Sequence, residues 1–146
     1  MTVATAVSSV TTSSVPRPRY AAFESCFAPE PISVGRSRHT SSVFLRLCEV
    51  ADPSMESVVL CISELVTNSV THGVGDVSLR VRWCTTEIRV EVIDGSSVPA
   101  TMRLASANAT SGRGLGLVEA LSEDWGASKD GWTTWCTFRI PAGRPQ

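Results

Sequence analysis

The 146-residue sequence predicts a two-layer α/β sandwich, with helices on one face of a mixed β-sheet. Two stretches alternate with the period of a strand. Val77, Leu79, Val81 and Trp83 alternate with Ser78, Arg80 and Arg82, and Ile88, Val90 and Val92 alternate with Glu87, Arg89 and Glu91. Ahead of them, Val58, Val59, Ile62, Leu65, Val66 and Val70 recur at helical spacing and give one helix a broad apolar face. The whole chain reads β-α-α-β-β-lid-α-β-β, and a domain of this length can bury a substantial core.

Taken in order, residues 1–20 are rich in Ser, Thr and Val and end in Pro16-Arg17-Pro18-Arg19. They are expected to form a mobile tail, with an edge strand or a partner-binding arm as alternatives. The domain then spans 21–141, and 142–146 make a short C-terminal tail. Residues 21–28 read as a strand cut off by Pro29 and Pro31. Over 33–50, Val34, Val43, Phe44, Leu47 and Val50 suit the inner side of a helix, with Arg36, Arg38 and Arg46 outside. Asp52-Pro53 supplies an N-cap and a first-turn proline, so a second helix runs over 53–72 until Gly73 and Gly75 end it. Residues 95–111 have no clear period and are expected to be a lid or binding segment, or else disordered. Gly112-Arg113-Gly114-Leu115-Gly116 opens a short helix to about Leu121, and strands over 125–128 and 132–140 pair across Lys129-Asp130-Gly131.

Thirteen basic and 14 acidic side chains leave a net charge of −1, which gives no reason to expect nucleic-acid or anionic-membrane binding. No apolar run approaches the roughly 20 residues needed to cross a bilayer. The first ten residues lack the cationic and apolar regions of an export signal, so a cytoplasmic protein is expected. The five cysteines, Cys26, Cys48, Cys61, Cys84 and Cys136, are scattered among apolar residues with no CxxC pair. They read as reduced, mostly buried small hydrophobes rather than zinc ligands or a disulfide framework.

Three features carry chemistry. Glu64, Asn68 and His72 are four residues apart, which on a helix stacks them in one stripe with successive members offset by about 40°. Taken alone, such a stripe is the wet side of an amphipathic helix. Asn, however, is a mediocre residue for a helix interior and has no capping duty at 68. A carboxylate one turn from an amide oxygen also suits holding Mg²⁺ and orienting a nucleophile. His72 either closes the helix against its dipole or belongs to the stripe. Asp94 shares the parity of Ile88, Val90 and Val92, so a carboxylate ends a buried row; it is either a turn residue or an inward acceptor for an exocyclic amine. The glycine run, at a helix start, frees N–H groups for an anion, and Arg113 is either a phosphate contact or an exposed lid charge. Neither a dinucleotide fingerprint nor a Walker loop is present.

The three features together, Glu64-x-x-x-Asn68, Asp94 and the run 112–116 after a lid, resemble the ATP-binding domain shared by histidine kinases, gyrase, Hsp90 and MutL proteins. The sequence is most similar to their branch of small single-domain bacterial anti-sigma factors with serine-kinase activity. Residues 63–72 resemble its N box and 112–121 its second glycine box. Asp124-Trp125-Gly126 and Gly131-Trp132-Thr133-Thr134-Trp135 match its closing hairpin. The resemblance covers about residues 24–140 and implies a Bergerat-type fold that takes ATP and Mg²⁺ as cofactors. It assigns Asn68 to Mg²⁺, Asp94 to the adenine amino group, Glu64 to general-base catalysis and Gly112, Gly114 and Gly116 to the phosphates. Thr133 becomes a second adenine contact, with Thr134 as the alternative. One departure stands out: the family's Asp-x-Gly-x-Gly is here Asp94-Gly95-Ser96-Ser97-Val98, and a Cβ at 96 or 98 narrows the backbone's approach to adenine.

The resemblance therefore implies a kinase that phosphorylates a serine of an anti-sigma-factor antagonist and holds a sigma factor, with homodimerisation common among such proteins. The alternative is a non-catalytic, partner-switching module of the same fold, with or without nucleotide. A histidine-kinase fragment is disfavoured because His39 lies in a short first helix without the expected acidic neighbour.

Overall fold

The structure is a computed structural model that describes residues 16, 18–98 and 113–141. Residues 1–15 and 17 of the tail, residues 99–111 of the lid, Gly112 and the C-terminal 142–146 lie outside the described residues. The elements follow the expected order: β1 (Tyr20–Phe27), α1 (Pro31–Leu47), α2 (Asp52–His72), β2 (Val77–Cys84), β3 (Glu87–Ile93), α3 (Arg113–Leu121), β4 (Asp124–Ala127) and β5 (Thr133–Arg139).

The strands make one sheet of order β1-β2-β3-β5-β4, antiparallel at every pairing. The expectation of a mixed sheet is thereby corrected. The crossover through α3 returns β4 in the same direction as β3, as helical crossovers do. Strand β5 then folds back between the two, so the parallel strands never touch.

The alternation in β2 and β3 sets the register: Leu79 faces Val92, Val81 faces Val90 and Trp83 faces Ile88 across the ladder. These apolar residues all point to one side, where Val58, Cys61, Ile62, Leu65 and Val66 of α2 meet them in the buried core. Burying each aliphatic side chain contributes about 1.5–3 kcal/mol. That packing, rather than propensity, holds α2, whose 21 residues are dominated by Val, Ser and Thr. Asp52 is the first residue of this helix, not its N-cap; the cap is Ala51, with no side-chain hydrogen bond, and Pro53 sits in the first turn.

Helix α1 departs from its sequence pattern. Its buried residues are Ser33, Ser37, Ser41 and Leu45, one every fourth position, whereas Val43 and Leu47 are exposed. Small serines let a helix lie close to its neighbours, and Phe44 packs edge-on against Phe23 of β1 with ring centroids 5.0 Å apart. The helix also ends three residues early. Val50 N–H bonds the Leu45 carbonyl and Glu49 N–H bonds that of Arg46, with Glu49 at φ 58°. This is a Schellman ending, and Val50 and Leu45, the pair such an ending brings together, are both buried in the core.

All five cysteines are free thiols, but only Cys61 and Cys136 are buried, and Cys26 is exposed on β1. The expectation of mostly buried cysteines fails because Cys26 falls on the uncovered face of an edge strand. Its neighbour Cys61 and burial together hold the Cys136 thiol far above the ordinary thiol range.

Candidate functional site

Helix α2 and the ends of β3 and β5 converge on one corner of the sandwich. Asn68 is not on a wet surface: it is 7 % exposed, and neither its Oδ1 nor its Nδ2 has a hydrogen-bond partner among the described residues. An unpaired amide in a protein interior costs about 1–3 kcal/mol. Such a group in a native fold calls for a ligand, and an amide oxygen is a suitable donor to Mg²⁺. Among the described residues no group of three His, Cys, Asp or Glu side chains is gathered to hold a metal. Mg²⁺ at Asn68 would keep several waters and take nucleotide phosphates as its other ligands, as this small, reluctantly dehydrated cation does with one or two protein donors.

One turn earlier on α2, Glu64 is half-buried and meets the start of α3. A Cβ placed on Gly114 would lie 2.7 Å from Glu64 Oε2, so the glycine lets the two helices close over the carboxylate. The first turn of a helix favours negative charge. Gly114 is thus brought to the polar stripe, while Gly116 is exposed with open space around it. Arg113 begins α3, and its side chain, like Gly112, is outside the described residues. His72 is half-buried in the last turn of α2, where a cation is favoured.

Asp94 continues the buried row of β3 and is 4 % exposed. Its Oδ2 accepts a 2.7 Å hydrogen bond from the Ser69 hydroxyl, and its Oδ1 accepts one of 2.8 Å from the Ser96 backbone N–H. The backbone is fixed as well: Asp94 N–H bonds the Trp132 carbonyl and Gly95 N–H bonds that of Val74. The carboxylate is an ordered acceptor at the junction of α2, β3 and the β4–β5 hairpin. Ser96, which replaces the first expected glycine, is buried and bonds along its own loop to the Val98 backbone.

The register moves one candidate. Thr133 pairs with Ile93 and so shares the uncovered face of the sheet, opposite Asp94. Thr134 pairs with Val92, is buried, and lies on the helix side with Asp94. Its parity with Cys136 and Phe138 was the available signal. Sequence reasoning also passed over Ser69 and the approach of Gly73 to Asp94, and Ser96 stands out there only as a missing glycine. Serine beside Asn68 has no pattern of its own, and Gly73 reads only as a helix terminator.

Gly73 does more than stop α2. A Cβ there would overlap the Ser69 carbonyl oxygen and stand 2.7 Å from Asp94 Oδ2. The obstruction is partly backbone and cannot swing aside. Gly73→Ala is expected to lower stability by about 1–3 kcal/mol, read as a lower midpoint in urea denaturation. An unchanged midpoint would contradict this close approach.

A family model of the histidine kinase-like ATPase domain matches residues 27–138. No curated protein matches the sequence. Among solved structures, the chain is similar to the RsbU and RsbW domains of Rv1364c from Mycobacterium tuberculosis, with a TM-score of 0.62 and 18% identity. The alignment covers 86% of this chain and 33% of that one, so this chain spans a third of its length. At that identity the likeness is one of fold.

Proposed function

Because the chain belongs to the histidine kinase-like ATPase domain family, we propose that it is a cytoplasmic anti-sigma factor that binds ATP with Mg²⁺ and phosphorylates a serine of an anti-sigma-factor antagonist. The observation that carries this reading is Asn68, a buried amide whose two polar atoms have no hydrogen-bond partner among the described residues, between Glu64 under Gly114 and Asp94. Among the described residues no helix is long and apolar enough to cross a membrane.

Bound Mg·ATP supplies the transferable phosphoryl group and neutralises phosphate charge. Asn68 offers its amide oxygen to the cation. Asp94 accepts a hydrogen bond from the adenine amine, with Thr134 beside it. Gly114 meets the phosphates, the role that the family resemblance also gives Gly112 and Gly116 and that the sequence allows Arg113. Glu64 accepts the proton of the substrate serine as its oxygen bonds phosphorus, and ADP leaves. The chain's contribution is positioning and charge placement. The new phosphate adds about −1.5 to −2 charges to the antagonist, breaking its contact and freeing this protein to hold its sigma factor.

The second reading is a binding module of the same fold that exchanges partners without phosphoryl transfer. It is favoured by Ser96 and Val98, which stand where the family's run has glycines and tie the loop to itself. Incubation with γ-labelled ATP, Mg²⁺ and the antagonist separates the two. The kinase reading expects label on an antagonist serine. ATP binding without label transfer would leave only the binding module.

A further inference from the structure

A serine inside a helix can bond back to the carbonyl four residues earlier. Ser42 and Ser57 do so here, to Arg38 and Pro53. Ser69 does not. It is 2 % exposed and sends its hydroxyl off the helix to Asp94 Oδ2 at 2.7 Å, while Ser96 N–H occupies Oδ1 at 2.8 Å. These two of its partners come from different elements and meet different oxygens. The terminal torsion of an aspartate is soft, so hydrogen bonds set the plane of the carboxylate. A hydroxyl donating to a carboxylate is also among the stronger hydrogen bonds. Ser69 adjoins Asn68, so consecutive residues of α2 serve the two ends of the pocket.

We propose that Ser69 is a positioning residue for base recognition: its hydroxyl orients Asp94 so that a carboxylate lone pair faces the 6-amino group of a purine. This rests on the pocket reading proposed above. A hydroxyl that merely satisfied a buried carboxylate would support the fold and affect all nucleotides alike. One that orients the carboxylate acts only on ligands bearing the amine.

The test uses the full chain with Mg²⁺ and titrates two ligands by calorimetry: ATP and purine riboside 5′-triphosphate, which lacks the 6-amino group. Wild type is expected to prefer ATP by about tenfold or more. Ser69→Ala should lose most of that preference, weakening ATP by about tenfold and the deaminated analogue by less than about twofold. Ser69→Cys, similar in size but a weak donor, should fall between them. The preference is a ratio taken on one preparation, so a partly unfolded variant does not distort it. Equal losses on both ligands, or no loss on ATP, would overturn the role of Ser69 and leave the pocket standing. A wild type that binds the two ligands equally, or binds neither, would overturn the pocket reading and this inference with it.

Discussion

Asn68→Ala is expected to abolish Mg²⁺-dependent ATP binding without lowering the melting temperature of the ligand-free protein. The two halves of this outcome share one cause. In the free protein the amide is buried and neither polar atom has a partner among the described residues, a penalty of about 1–3 kcal/mol. Alanine removes that penalty and is the better helix former by about 0.6 kcal/mol. Against this stands the packing of a small side chain, so the ligand-free protein should hold its midpoint or gain a few degrees. Binding moves the other way. A cation that relies on phosphate and water for its remaining ligands loses its protein anchor, and affinity should fall at least about a hundredfold. Calorimetry with and without Mg²⁺, beside a thermal melt, reads both. Unchanged affinity would show that the pocket is assigned wrongly. A melt that drops by several degrees would show that Asn68 serves the fold.

A residue that costs the empty fold stability is where a sequence pattern misleads. The stripe of Glu64, Asn68 and His72 resembles an ordinary wet face because period alone cannot show that α3 packs onto that side of α2. Apolar periodicity did locate β2, β3 and α2, because each buries one face in a single core; β1, β4 and β5 were marked by the prolines and the turn beside them. Periodicity failed at α1, where a stripe of serines is buried and Val43 and Leu47 are exposed. Hydrophobicity ranks serine as a surface residue, and only the closeness of the neighbouring elements explains its burial. Sheet order was also out of reach, since nothing in residues 124–139 says that β5 rather than β4 pairs with β3. Asp94 was legible as a misplaced charge in a buried row. Its partner Ser69 was not, because a hydrogen bond between residues 25 apart leaves no local trace.

Glu64→Gln is expected to leave ATP affinity within about threefold of wild type and to slow phosphoryl transfer by about 10²–10⁴, the range that a positioned base contributes. Glutamine keeps the size and polarity of the side chain but cannot take the serine proton. The substitution therefore separates a base from a metal ligand or a structural prop. Joint loss of binding and turnover would assign Glu64 to the second group. The approach of α3 supplies an independent check. Gly114→Ala would place a methyl group 2.7 Å from Glu64 Oε2, closer than carbon and oxygen pack, and the carboxylate, being the end of a flexible side chain, would turn away rather than disrupt the backbone. Turnover should then fall while stability changes little. If Gly114→Ala slows transfer as Glu64→Gln does, the position of the carboxylate matters as well as its charge. If wild type and both variants bind ATP but transfer no label, Glu64 has no proton to accept, and the protein works by exchanging partners alone.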